Sequence, residues 1–198
     1  YSLGGSQVAL KAQAVSIGSR VVFLGTGPLL YLVASQYIKA GAKVAAVLDT
    51  SGFTARITAL PDLLALPSVL WNGIALTRAI KAAGVPLLTG VTPVAISGDA
   101  RTGVTGVTVR LGDGSDRHFA ADAVAMGYHL RPETQLADLA RCTFAFDELT
   151  RQYLPVRDPD GRAEAPTPLY LAGDGARVLG ARSAEASGKL AALAALSD

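Results

Sequence analysis

The chain has 198 residues, half of them hydrophobic, and a mean hydropathy of +0.35, which is enough apolar material for one sizeable core or two small ones. Its 18 basic and 16 acidic residues nearly cancel, and no basic stripe is interleaved with aromatic residues, so a nucleic-acid partner is not expected. Cys142 is the single cysteine, which excludes an internal disulfide or cysteine cluster and makes a reducing cytoplasm the expected location.

The sequence predicts neither a membrane span nor a metal site. The longest apolar stretch, residues 21–34, is interrupted by glycine and proline and is too short for a bilayer. His118 and His129 lack metal-ligand spacing and are expected to be structural or solvated. The chain opens with YSLGGSQVALKAQ rather than with Met, so we expect it to be an excised part of a longer protein.

The first elements in chain order predict half of a dinucleotide-binding unit. Residues 6–14 have helical spacing and form a lead-in helix within a region 1–19. Residues 21–24 form an all-apolar run, as expected of a parallel strand that is buried on both faces. A helix follows and ends near Lys39 and Gly41, and residues 42–48 resume as an apolar strand.

The turn between the first strand and the helix is the candidate phosphate site. Gly25 and Gly27 have the G-x-G spacing that permits a tight turn and a close backbone approach to a pyrophosphate. Pro28 suits the first turn of a helix, whose unpaired N–H groups and positive end attract anions. Thr26 and Leu29 complete this predicted cofactor-binding turn.

Asp49 ends the second strand and is the candidate ribose ligand. It follows Gly25 by about 20 residues, the spacing at which a carboxylate binds a ribose hydroxyl, and it would favour NAD over NADP by repelling a 2′-phosphate. The third position of the glycine motif is Leu30 instead of Gly or Ala, which should displace the helix or force repacking. A glycine turn that binds no cofactor is therefore the alternative.

The remaining elements of residues 20–127 predict a Rossmann-like α/β dinucleotide-binding domain, with a parallel sheet, helices on both faces and an antiparallel β-meander. Residues 50–70 are interpreted as a short helix and a loop, 70–83 as a helix and 85–88 as a third parallel strand. Residues 91–96, 106–111 and 116–120 are the meander, with a hairpin turn at Asp113 and Gly114. Residues 122–126 return as an apolar strand.

Residues 128–198 carry a second motif. A predicted strand at 169–172 runs into Gly173, Asp174 and Gly175, and an alanine-rich helix follows at about 181–196. A carboxylate between a strand and a helix N-terminus is placed to hold a sugar-like hydroxyl; the alternative is a plain turn that Asp174 caps. No nucleophile, base and orienting group form a set, so no catalytic residue is predicted. Surface solvation is the expectation for the polar residues Arg131, Glu133 and Asp147.

Four collinear blocks resemble a known superfamily, the pyridine-nucleotide/flavin oxidoreductases: SLGGSQVALKAQ, VVFLGTGPLL, AVAMGYHLRPETQLADLA and LYLAGDGARVLGARSAEASGKLAA. The closest resemblance is to the larger subunits of bacterial two-component amine and opine oxidoreductases, which include opine oxidase, proline or hydroxyproline dehydrogenase, hydrogen cyanide synthase and the sarcosine oxidase alpha subunit. The resemblance implies that Gly25, Gly27 and Pro28 form the turn of the nicotinamide-type domain, with Asp49 at its acidic position.

The resemblance also implies that residues 128–198 are the C-terminal return of an FAD domain. Gly173 and Asp174 match the pair that contacts the FAD ribitol and pyrophosphate, and Glu185 and Gly188 match the helix after it. Glu164 stands where the family has a Thr, and neither the N-terminal FAD fingerprint nor the iron–sulfur segment of some relatives is present. The isolated chain is therefore expected to bind FAD poorly and to be inactive.

The implied function is that of a fragment of a flavin-dependent oxidoreductase acting on a secondary amine, amino acid or opine. FAD would be the cofactor of the parent protein, NAD a second one, and a smaller flavoprotein subunit or a second copy the partner. The alternatives are part of an NADH-dependent ferredoxin, rubredoxin or disulfide reductase, a cofactor-free assembly subunit, and a single-nucleotide sensor. Lone Cys142 argues against the disulfide branch alone.

Overall fold

The computed structural model describes residues 1–52, 58 and 67–197. The short helix and loop predicted within residues 50–70 fall mostly outside these residues. The chain divides into two compact units, Tyr1–His129 and Leu130–Asp198.

The first unit alternates helices and strands and then changes to consecutive strands. In chain order its elements are α1 (Leu3–Gln13), β1 (Val21–Gly25), α2 (Pro28–Lys39), β2 (Val44–Asp49), α3 (Pro67–Ala82), β3 (Leu87–Thr89), β4 (Thr92–Asp99), β5 (Gly103–Arg110), β6 (Asp116–Ala120) and β7 (Ala123–Gly127). The α/β class predicted from the sequence is confirmed.

Four strands form a parallel sheet in the order β3-β2-β1-β7. Every residue of β1 is buried, because a central parallel strand is covered on both faces. Successive side chains of a strand point to opposite faces, so β1 contributes to two separate cores. Val21 and Phe23 belong to one core, and Val22 and Leu24 to the other.

The first core lies on the helical face of the sheet, against α1, α2 and α3. Tyr37 of α2 packs edge-on against Phe23 at 5.0 Å between ring centroids, and its hydroxyl donates to the Ser6 carbonyl of α1 at 2.8 Å. The lead-in helix is thereby fastened to the helix that follows the glycine turn. It begins three residues earlier than the predicted position 6, because Ser2 caps it by accepting the Gly5 N–H.

The second core lies between the parallel sheet and a three-stranded antiparallel sheet, β4-β5-β6. Val107, Val109 and Phe119 of that sheet are buried with the side chains of β1 and β2 that face away from the helices. The sequence predicted helices on both faces; in the described residues the meander itself covers the second face. The predicted Asp113–Gly114 turn joins β5 to β6.

The second unit contains α4 (Gln135–Leu139), β8 (Phe144–Asp147), β9 (Gln152–Pro155), a 3-10 helix (Gly173–Gly175) and α5 (Ala181–Ser197). The β8–β9 hairpin was not predicted. The predicted strand at 169–172 is wrong: Tyr170 makes one isolated bridge, to Arg162. A strand needs a ladder of neighbours, and only residues 161–163 pair with this segment in the described chain.

The core of the second unit is small and built mostly from small side chains: Ala137, Cys142, Ala163, Leu171 and Ala176. Several large apolar side chains are exposed instead, among them Leu149 and Leu196, each 86% exposed. Of the helices in the described residues, none is long and apolar enough to span a membrane.

Candidate functional site

The ends of three parallel strands bring the glycine turn and Asp49 together. In the sheet register Gly25, the last residue of β1, pairs with Asp49 on one side and with Gly127 on the other. The Thr26 N–H donates to the Gly127 carbonyl at 3.0 Å, and the Thr50 N–H donates to the Gly25 carbonyl at 2.8 Å. The turn is thus fixed at the carboxyl edge of the sheet, where open α/β folds bind ligands.

The two glycines of the turn are required for different reasons. Gly25 has a φ of +149°, and a Cβ there would lie 1.9 Å from the Gly127 carbonyl oxygen, so the close approach of β1 and β7 needs a glycine. Gly27 has a φ of +86°, but a Cβ there would meet no atom within 4 Å. The open side of Gly27 leaves space for a ligand group such as a phosphate.

Helix α2 begins directly after Gly27. Pro28 is its first residue and is exposed, and the Leu30 N–H donates to the Gly27 carbonyl at 3.2 Å. The first amides of a helix have no helical partner and attract anions, so the turn and the helix start fit a phosphate. Leu29 is half-buried against the helical core, and Leu30 is fully buried within it beside the small side chains of β7.

Asp49 is already engaged by other groups of the chain. Its side chain lies in a residue that is only 2% exposed. The Tyr31 hydroxyl donates to Oδ2 at 2.5 Å, and the Ser51 N–H and hydroxyl donate to Oδ1 at 2.8 and 2.6 Å. The glycine turn therefore fits a dinucleotide phosphate, whereas Asp49 in this arrangement does not present its carboxylate to a ribose.

Sequence reasoning missed both partners of Asp49. Ser51 had a signal that could have been used, because an Asp followed two residues later by Ser commonly closes an Asx turn. Tyr31 had none, since its contact with Asp49 depends on how α2 packs over β2.

The second candidate region lies in the second unit. Gly173 has a φ of +56°, a Cβ there would lie 3.1 Å from that of Ala184 in α5, and its N–H donates to the Ser187 hydroxyl at 3.0 Å. The Asp174 carbonyl accepts from the Glu133 N–H, while its exposed carboxylate makes no hydrogen bond within the described residues. An exposed carboxylate on a fixed turn fits a flavin hydroxyl.

Asp147, which the sequence assigned to surface solvation, is instead part of a local network. Its carboxylate accepts from the Thr150 N–H and hydroxyl at 2.8 and 2.6 Å, and Arg177 contacts both of its oxygens at 2.9 Å. The bonds from Thr150, followed by the positive charge of Arg177, hold the pKa of Asp147 below its usual range. The described residues contain no group of His, Cys, Asp and Glu side chains that could hold a metal.

Sequence comparison gives relatives along nearly the whole chain. An opine oxidase subunit of Rhizobium meliloti is 39% identical over 98% of this chain. The chain is a homologue of this opine oxidase subunit. Hydrogen cyanide synthase subunit HcnB of Pseudomonas aeruginosa is 31% identical, again over 98% of the chain. The chain spans only 36% and 42% of the lengths of these two relatives. No protein-family model matches the homologue.

Solved structures show the same fold. Bacillithiol disulfide reductase Bdr of Staphylococcus aureus aligns with a TM-score of 0.60 over 91% of this chain and 51% of its own, at 16% identity. T. acidophilum thioredoxin reductase aligns with a TM-score of 0.56 over 88% of this chain and 50% of its own, at 23% identity. At these identities the likeness establishes the Rossmann-type fold of the opine oxidase homologue and nothing finer.

Proposed function

We propose that the chain is the dinucleotide-binding part of a flavin-dependent oxidoreductase. The observation that supports this most directly is the Gly25–Gly27 turn, held at the carboxyl edge of four parallel strands with an open side at Gly27. The similarity to the opine oxidase subunit over 98% of the chain supports the same function. In this proposal the turn and the start of α2 bind a dinucleotide phosphate.

The proposed substrate class is a secondary amine, amino acid or opine. The relatives that support it are named opine oxidase and hydrogen cyanide synthase, and both are named as subunits. The proposed partner is therefore a smaller flavoprotein subunit, and the proposed location is the cytoplasm. Bound FAD would supply the hydride-accepting chemistry of the parent protein.

The residues of this chain would bind and orient, with no catalytic group assigned among them. Gly27, Pro28 and the following amides would hold the pyrophosphate of NAD, with Thr26 and Leu29 lining the turn. Asp49 would accept from the adenosine ribose once its carboxylate is accessible. Gly173 and Asp174 would contact the FAD of the parent protein.

Calorimetric titration of the 198-residue chain with NADH, NADPH and FAD, each alone, tests the proposal. We expect NADH to bind, NADPH to bind more weakly, and FAD to bind poorly. Asp49→Ala tests the ribose role, and we expect it to weaken NADH by about 1–3 kcal/mol, the range for a lost hydrogen bond to a charged group. If the chain binds none of the three nucleotides, the proposed dinucleotide role is refuted.

A cofactor-free assembly subunit is the second candidate. The covered carboxylate of Asp49 favours it, as do the exposed apolar side chains of the second unit, for example Leu149 and Leu196. An assembly subunit would bind no nucleotide but would form a stable complex with a partner. Failure of all three titrations together with a partner-dependent shift in molecular mass would support this candidate.

A further inference from the structure

The carboxylate of Asp49 is closed to an incoming ligand by the chain itself. Asp49 is 2% exposed, although it stands beside Gly25 at the edge of the sheet where the proposed nucleotide site lies. Tyr31 occupies Oδ2, and Ser51 occupies Oδ1 through its amide and its hydroxyl. A ribose hydroxyl can therefore reach Asp49 only after one of these donors has moved.

Tyr31 is the donor that can move at low cost. Ser51 lies two residues along the same segment, and its N–H closes a local turn with Asp49, so its displacement would disrupt the backbone. Tyr31 comes from a different element, α2, and its side chain is half-buried. A half-buried side chain can change rotamer without unfolding the helix that carries it.

We infer that Tyr31 is a lock on the ribose position of the nucleotide site. Its hydroxyl takes the place of a ribose hydroxyl on Asp49 and must turn away before a dinucleotide binds. This inference rests on the proposed nucleotide function. It assigns to Tyr31 a positioning role that sets affinity, because a site that is open for only part of the time has its apparent affinity reduced by that fraction.

The lock predicts that removal of one hydroxyl tightens binding. Tyr31→Phe keeps the ring and loses the hydrogen bond to Asp49, so the open form becomes more populated. We expect the affinity for NADH, measured by calorimetry on the 198-residue chain, to rise about tenfold or more. Tyr31→Ala, which removes the whole ring from the site, should give a gain of the same sign.

Tyr37→Phe is the matched control. It makes the same chemical change on the same helix, but the Tyr37 hydroxyl donates to the Ser6 carbonyl and does not contact Asp49. We expect this variant to bind NADH like the wild-type chain, although its melting temperature should fall. Ser51→Ala is a second control: it removes a hydroxyl from Asp49 and leaves Tyr31 in place, so the affinity should not rise.

The outcomes separate the lock from the proposed function. Tighter NADH binding by Tyr31→Phe, with Tyr37→Phe unchanged, supports the lock, including the case in which the wild-type chain binds too weakly to measure. Measurable wild-type binding that both Tyr31 variants leave unchanged or weaken overturns the lock and leaves the nucleotide function standing. If neither the wild-type chain nor any variant binds NADH at millimolar concentration, the nucleotide function is refuted and the lock with it.

Discussion

Gly27→Ala provides the sharpest test of the glycine turn. The substitution adds one methyl group to a residue with a φ of +86°, on a side where no atom of the protein lies within 4 Å. The folded chain therefore suffers no overlap, and the cost to stability is the backbone strain of a left-handed Ala, about 1–2 kcal/mol. The methyl group instead occupies the space that we assign to the phosphate.

The chain contains a control with nearly the same backbone. Gly41 follows the other end of α2, has a φ of +79°, and would likewise place a Cβ with no atom within 4 Å. Gly41→Ala should therefore reduce stability by a similar amount, about 1–2 kcal/mol. It lies at the opposite end of the helix from the turn and should not affect a bound phosphate.

The two variants are compared by urea denaturation and by titration with NADH. We expect equal losses of stability and unequal losses of affinity, with Gly27→Ala binding about 10- to 100-fold more weakly because a hydrogen bond to a charged phosphate is worth about 1.5–3 kcal/mol. Equal NADH affinities for Gly27→Ala and Gly41→Ala would refute the assignment of the phosphate to this turn.

Three further predictions concern stability, pH and cofactor choice. Gly25→Ala should cost about 3 kcal/mol in urea denaturation, because its Cβ would lie 1.9 Å from the Gly127 carbonyl oxygen; a loss below about 1 kcal/mol would contradict the packing of β1 against β7. The lowered pKa of Asp147, held by Thr150, means that its contribution to stability is complete above the ordinary carboxyl pKa of about 4 and is lost as the pH falls through the lowered value. Asp147→Asn should therefore show a shallower loss of stability below about pH 4 than the wild-type chain, and parallel curves would show that the carboxylate contributes nothing there. NADPH should bind more weakly than NADH because the Asp49 carboxylate repels a 2′-phosphate, and a preference for NADPH in titration would remove Asp49 from the ribose site.

The parallel unit was predictable because its signals are local. A short apolar run followed by Gly25, Gly27 and Pro28 specifies a strand, a turn and a helix start from backbone preferences alone. The end of α2 at Lys39, with Gly41 just beyond it, follows from the same preferences. The phosphate half of the candidate site is built from these elements.

The tertiary structure decided which groups meet. The contact between Tyr31 and Asp49 joins residues 18 positions apart, and it depends on the angle at which α2 packs over β2. The meander covers the second face of the sheet because the side chains of β1 alternate between two cores, and the pattern of one strand does not specify what packs against it. Backbone preferences act over a few residues and can be read from the sequence. The accessibility of Asp49 depends instead on side chains that only the folded chain brings together.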